Sequence, residues 1–149
     1  MKLSENFTLT ELCKSQTADR KGIVNAPNSD AIFALQLLCD NVLQPVRNQF
    51  LIPYTPSSGY RCVELCEAIG SSALSQHAKG EAADFEVPTI PNIEVAQWIA
   101  SHLIFDQLIL EYYSGGNTGW IHCSYTEFNN RREILTLNEQ YGYRVGLHN

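Results

Sequence analysis

The sequence predicts a single α+β domain in which an antiparallel β-sheet packs against N-terminal helices. Helical periodicity and capping signals crowd the first 70 residues, whereas extended apolar segments fall after residue 82. Two of those segments flank Ser114-Gly115-Gly116-Asn117-Thr118, a composition suited to a hairpin connection. A length of 149 residues fits one hydrophobic core. Residues 1–149 are therefore taken as one domain, with its core over about 5–125 and a peripheral tail over 126–149. Hydrophobic residues at 44% and charged residues at 17% are enough to build that core.

Thr8-Leu9-Thr10-Glu11 matches a capping box, with Thr8 as N-cap, and opens a short helix over residues 9–15. Asn28-Ser29-Asp30 opens a longer one, in which Ile32, Leu35, Leu38, Cys39, Val42, Leu43 and Val46 recur at helical spacing. Pro45 should kink or divide it. Pro56-Ser57-Ser58-Gly59 reads as loop, Tyr60-Arg61 ends a short extended piece, and residues 62–69 read as helix, broken by Gly70-Ser71-Ser72. Ala82 to Val87 reads as a strand ended by Pro88. Asn92 is expected to cap a third helix whose apolar face carries Val95, Trp98, Ile99 and Leu103. Gln107–Tyr113 and Gly119–Tyr125 are the hairpin strands. The tail holds one apolar run, Ile134 to Leu137.

A formal net charge of −6 argues against general binding to nucleic-acid phosphates, which requires clustered Lys and Arg. No apolar run is long enough for membrane insertion, and the polar opening Met1-Lys2-Leu3-Ser4-Glu5 does not read as a signal peptide. We expect synthesis in a cytoplasm and a monomeric protein. Five cysteines, an odd number, favour reduced thiols over a disulfide framework. Cys62 and Cys66 read as one face of a short helix, with a zinc knuckle as the alternative.

The informative segment is Ser75-Gln76-His77-Ala78-Lys79-Gly80-Glu81-Ala82-Ala83-Asp84. A loop ending in His77 turns at Gly80 and enters a strand carrying Asp84, a carboxylate among apolar neighbours that needs a partner. Zinc accepts imidazole nitrogen and carboxylate oxygen, and His122 on the last strand is the natural third ligand. Three protein ligands leave a position for water. If Gly115–Thr118 is a four-residue loop, Ser114 pairs with Gly119 and Glu111 lies directly opposite His122, where a carboxylate can serve as general base. A structural carboxylate orienting His122 is the competing reading of Glu111. Arg61 has the planar fork that captures a carboxylate; pairing with Glu64 is its plainer alternative. Trp120 reads as pocket wall, and His102 and His148 as uninvolved.

Ser75-x-His77-x-x-Gly80-x-Ala82-x-Asp84, preceded by Ser58-Gly59-Tyr60-Arg61 and followed by Trp120-Ile121-His122, resembles the zinc D-Ala-D-Ala carboxypeptidase family (peptidase family M15). That family includes phage endolysin L-Ala-D-Glu peptidases and shares its fold with the Hedgehog signalling domain. Phe7-Thr8-Leu9-Thr10-Glu11-Leu12 resembles the opening of short phage-encoded members. The resemblance covers roughly residues 5–125. It implies zinc on His77, Asp84 and His122, a substrate carboxylate on Arg61, and Ser75 supporting the site by hydrogen bonding. This sequence departs from the family around the last histidine: one branch carries His-x-His, where Trp120 stands here, and others place Glu or Asp three residues before it, where Gly119 stands. The base is therefore assigned to Glu111 by strand geometry.

The expected function is hydrolysis of a peptidoglycan stem peptide, as a D,D-carboxypeptidase or an L,D-endopeptidase. Such a protein would act on the cell wall after lysis or export, or as a virion component. The alternative is a catalytically weak zinc-binding structural module.

Overall fold

The computed structural model describes residues Met1–Asn149, and its architecture is α+β. Thr8 caps α1 (Leu9–Cys13) by accepting from the Glu11 N–H, while its own hydroxyl lies 3.1 Å from the Glu11 carboxylate. A second short helix, α2 (Gln16–Lys21), is capped by Ser15 and closed by Gly22; the sequence reading contained no helix here. Asn28 caps α3 (Ser29–Leu38) through a 2.8 Å bond from the Ala31 N–H.

The helix does not break at Pro45. It widens into one π-helical turn, Cys39–Leu43, and resumes as α4 (Gln44–Phe50). Proline lacks an N–H and would press its ring on the carbonyl four residues back; the wider turn relieves both demands. Helix α5 (Val63–Ala68) follows, with Cys62 at its N-cap. A 3₁₀ turn, Gln76–Lys79, leads into β1 (Ala82–Phe85). Pro91, not Asn92, caps α6 (Asn92–His102). Asn92 is fully buried, and its amide donates to Thr118 O at 2.9 Å and to Glu86 Oε1 at 3.2 Å. It fastens the hairpin loop to the helix.

The five-stranded sheet has the order β1-β3-β2-β4-β5. Strands β1, β3 (Trp120–Ser124) and β2 (Gln107–Glu111) pair antiparallel. β4 (Glu133–Asn138) runs parallel to β2, and β5 (Gly142–Val145) antiparallel to β4. The sheet is therefore mixed, which corrects the antiparallel expectation. The tail is not peripheral: its Ile134–Leu137 run forms part of a strand hydrogen-bonded along the whole of β2. The stretch between β3 and β4 carries the chain back to the start of β2, and that return makes the pairing parallel.

Alternate strand residues Ala83, Phe85, Leu108, Leu110, Ile121 and Cys123 join Phe7, Leu35, Leu38, Val42 and Leu43 in one core. The other face of β1, β3 and β2 presents Asp84, His122, Trp120, Ile109 and Glu111. No helix is long and apolar enough to cross a membrane.

The hairpin register differs from expectation by two residues. Trp120, not His122, faces Glu111, and His122 faces Ile109. Tyr112 (φ 55°) and Gly119 (φ 67°) both adopt the left-handed conformation, so the chain leaves the ladder at Glu111 and re-enters at Trp120. Ser114 N–H and Thr118 N–H turn inward, to Thr118 Oγ1 and Gly115 O, instead of extending the strands. A slip of two preserves side-chain parity, so Glu111 stays on the face of His122 but lies diagonal to it. Gly119 is required: a Cβ there would collide with the Glu111 carbonyl oxygen, whereas one at Gly22 (φ 66°) meets nothing within 4 Å. Gly119→Ala should therefore cost about 3 kcal/mol in chemical denaturation and Gly22→Ala about 1 kcal/mol, the second reporting the left-handed backbone alone.

Candidate metal centre

Three elements bring the predicted ligands together. His77 comes from the 3₁₀ turn, whose first N–H groups Ser75 caps by accepting from the His77 N–H at 3.2 Å. Gly80 ends that turn at φ 76°, and a Cβ there would lie 2.5 Å from the Ala31 carbonyl oxygen, so the turn sits directly on α3. Asp84 and His122 are cross-strand partners on β1 and β3. His77 is buried, and the Asp84 and His122 side chains are only 15% and 13% exposed.

The ligating atoms of His77, Asp84 and His122 all lie within 4.8 Å of one another. Asp84 Oδ1 stands between the rings, 3.5 Å from His77 Nε2 and 3.0 Å from His122 Nδ1. Tetrahedral bonds of about 2.0–2.1 Å place donors about 3.3 Å apart, a value these distances bracket. His77 Nδ1 lies 2.7 Å from the Gly59 carbonyl oxygen, which can only accept. A neutral His77 therefore carries its proton on Nδ1 and leaves the Nε2 lone pair for a metal, the arrangement an outer partner imposes on a metal-binding histidine, whereas the protonated ring donates from Nε2 to Asp84. The group can hold a metal ion. Burial works against ionising Asp84, but hydrogen bonds from His122 and His77, with their charges, outweigh it and hold the carboxyl well below the usual range.

A strap formed by residues 57–61 crosses these elements. Ser58 O accepts from Asp84 N–H at 2.8 Å, Arg61 N–H donates to His77 O at 3.0 Å, and Tyr60 N–H donates to Leu12 O at 2.7 Å. Asn25 locks the far end by donating to Cys13 O and Tyr60 O and accepting from Cys62 N–H. Arg61 Nη2 consequently rests 3.5 Å from Asp84 Oδ2, the carboxylate oxygen facing away from the histidines. It pairs with this residue and not with Glu64. Its Nε is buried without a hydrogen-bond partner.

On the Glu111 side, Trp120 is more than a wall: its indole N–H donates to Glu111 Oε2 at 2.6 Å. Burial raises the Glu111 pKa above the ordinary carboxylate value, and the negative Asp84 raises it further; the positive field of His122 and the indole hydrogen bond oppose this. His102 stacks on Trp98 and His148 bonds Val145 O, both apart from the three converging residues. All five cysteines are free, and none joins a metal-binding group; burial pushes the Cys13 thiol up to about 11 and Cys39 up to about 12.

The sequence reading missed a buried carboxylate that supports the turn. Asp106 accepts from Arg131 Nε at 3.0 Å and Nη2 at 2.8 Å, and from Gln76 Nε2 at 3.0 Å. It joins the start of β2, the segment before β4 and the residue adjoining His77. An Asp directly after Leu103-Ile104-Phe105 was a signal that a buried carboxylate needed partners; which ones was not legible.

The chain matches the family model described as Peptidase M15 over residues 5–124, and it belongs to that family. The family is one of peptidases, and its matched segment contains all three converging residues. No curated protein matches the sequence. β4 and β5 lie outside the matched segment.

A carboxyl whose pKa rises on folding stabilises the fold only while protonated. That contribution is complete below the unfolded value and lost as pH rises through the folded value. Glu111→Gln, whose amide oxygen can still accept from Trp120, should therefore raise the melting temperature of the metal-free protein at pH 7. The gain should vanish below about pH 4, where the unfolded carboxyl is itself protonated; thermal scans of both proteins across pH read this directly.

Proposed function

We propose that this protein is a zinc-dependent peptidase that cleaves peptidoglycan stem peptides, either at D-Ala-D-Ala or at an internal L,D bond. The observation that carries this reading is the convergence of His77, Asp84 and His122 within 4.8 Å, with Glu111 on the same open face of the sheet. Two imidazoles and one carboxylate are the donor set of catalytic zinc sites that keep an open position. Zinc held there supplies Lewis acidity toward the scissile carbonyl and toward water.

The remaining chemistry belongs to side chains of this chain. Glu111, with Oε2 fixed by the Trp120 indole, takes a proton at Oε1 from the attacking water and delivers it to the leaving amine. Its raised pKa suits this two-way role, because a base that is too acidic cannot hold the proton it has taken. Arg61, whose side chain is partly exposed beside Asp84, holds a substrate carboxylate through the part of its guanidinium that reaches solvent. Ser75 acts through His77 by fixing the turn that carries it, not by touching substrate. We propose further that the protein acts on the cell wall as a monomer.

Purified protein should carry about one zinc per chain, read by elemental analysis, and His77→Ala or His122→Ala should lose it, since three protein donors leave no spare ligand. Glu111→Gln should retain the metal but lose at least about 100-fold in kcat, the scale of a general base. Mass spectrometry of digested peptidoglycan distinguishes release of a terminal D-Ala from scission inside the stem. A protein that binds zinc stoichiometrically yet releases neither product would be a structural zinc module instead.

A further inference from the structure

The strap that carries Arg61 has a second side. A cavity of about 510 Å³ opens there between α1–α2, the strap and α5. Its lining contains Lys14, Arg20 and Arg61 and not one Asp or Glu. This is a pronounced segregation, because the chain has 16 acidic against 10 basic residues. Most of the remaining lining is polar and includes the Ser15, Thr17 and Ser58 hydroxyls. A cleft lined by one sign of charge focuses field and selects the opposite charge from solution. The segregation is local, since the chain as a whole carries a formal net charge of −6.

The cavity adjoins the candidate centre across Arg61 and Ser58. Arg61 lines it and also lies against Asp84, and Ser58 lines it while its carbonyl accepts from the Asp84 N–H. A chain laid along the strap therefore passes from the metal-binding residues, over Arg61, into a space framed by Lys14 and Arg20. Arg20 Nη2 is engaged only by Thr17 Oγ1, at 3.3 Å, and no ion pair involves Lys14 or Arg20.

We propose that this cavity is an anion-selective substrate subsite: Lys14 and Arg20 bind a second carboxylate, on the peptide segment that continues past the group held by Arg61. The inference rests on the proposed peptidase function and specifies its substrate as an acidic peptide with carboxylates on successive segments. Lys14 and Arg20 set specificity and take no part in bond cleavage. Their contribution is charge-based and solvent-exposed, so it acts mainly on KM and fades with salt.

The test uses the zinc-loaded full chain and two peptides with the same scissile bond, one carrying Glu and the other Gln on that flanking segment. The wild-type protein should cleave the Glu peptide with a kcat/KM about fivefold higher, the sum of two exposed charge pairs. Lys14→Gln combined with Arg20→Gln should bring the ratio close to one through KM, leaving cleavage of the Gln peptide unchanged. Salt at about 1 M should have the same effect on the wild type. Equal cleavage of the two peptides by the wild type, or an unaltered ratio in the double variant, overturns the subsite. If the wild type cleaves neither peptide, the peptidase reading fails, and calorimetric binding of the same peptides decides the subsite independently: preference for the Glu peptide that the double variant loses supports it, and equal binding overturns it.

Discussion

The antiparallel pairing of β1 with β3, which sets Asp84 across from His122, is the constraint on which the rest of this structure depends. Cross-strand partners have Cβ atoms about 5 Å apart on a common face, so a carboxylate and an imidazole there meet without any loop having to find its place. Everything around the pair refines it. The 3₁₀ turn brings His77 to the same carboxylate oxygen, and the strap turns the other oxygen toward Arg61. One carboxylate thus faces histidines with one atom and a guanidinium with the other, and its orientation is fixed from both sides. Rigid strands position ligands more tightly than loops, and the one candidate ligand here that is not on a strand has its turn capped by Ser75, seated on α3 through Gly80 and tied to Asp106 through Gln76.

Much of this was legible because the chemistry is local in the chain. The histidine, glycine and aspartate of residues 77–84 announce a turn entering a strand, and a lone carboxylate among apolar residues requires a partner. Capping by Thr8 and Asn28 was equally local. The features that escaped are those set by distant partners. Parallel pairing of β4 with β2 cannot be inferred from an apolar run, because a strand pattern does not reveal its neighbour. The Gly59 carbonyl that fixes the His77 tautomer is backbone and has no side-chain signature. Asn25, which clamps the strap at Cys13, Tyr60 and Cys62, reads in sequence as an ordinary loop asparagine.

The hairpin register differs from the count, yet Glu111 still shares a face with His122. Glu111 was placed opposite His122 on the assumption of a four-residue loop, whereas left-handed Tyr112 and Gly119 lengthen the connection and set Glu111 opposite Trp120. Because side chains alternate with period two, a displacement of two preserves the face and changes only the neighbour. That neighbour matters chemically. With Trp120 directly across, the carboxylate gains a neutral donor that holds one oxygen without neutralising its charge, as a cation would.

The two carboxyl groups on this face are driven in opposite directions, and that contrast supports the roles proposed for them. Asp84 lies between two imidazoles that donate to it when protonated, and it stays ionised despite its burial. Glu111 has one neutral donor, is desolvated, and lies in the negative field of Asp84, so its proton affinity rises. A permanently ionised carboxylate suits a cation, and one with raised proton affinity suits proton transfer. The ordering follows from the sheet itself: Asp84, on β1, pairs with the strand that carries a histidine and adjoins the turn that carries another, while Glu111, on β2, is set across from an indole. On the proposed reading, ligand and base are distinguished by the neighbours that β3 supplies to each position.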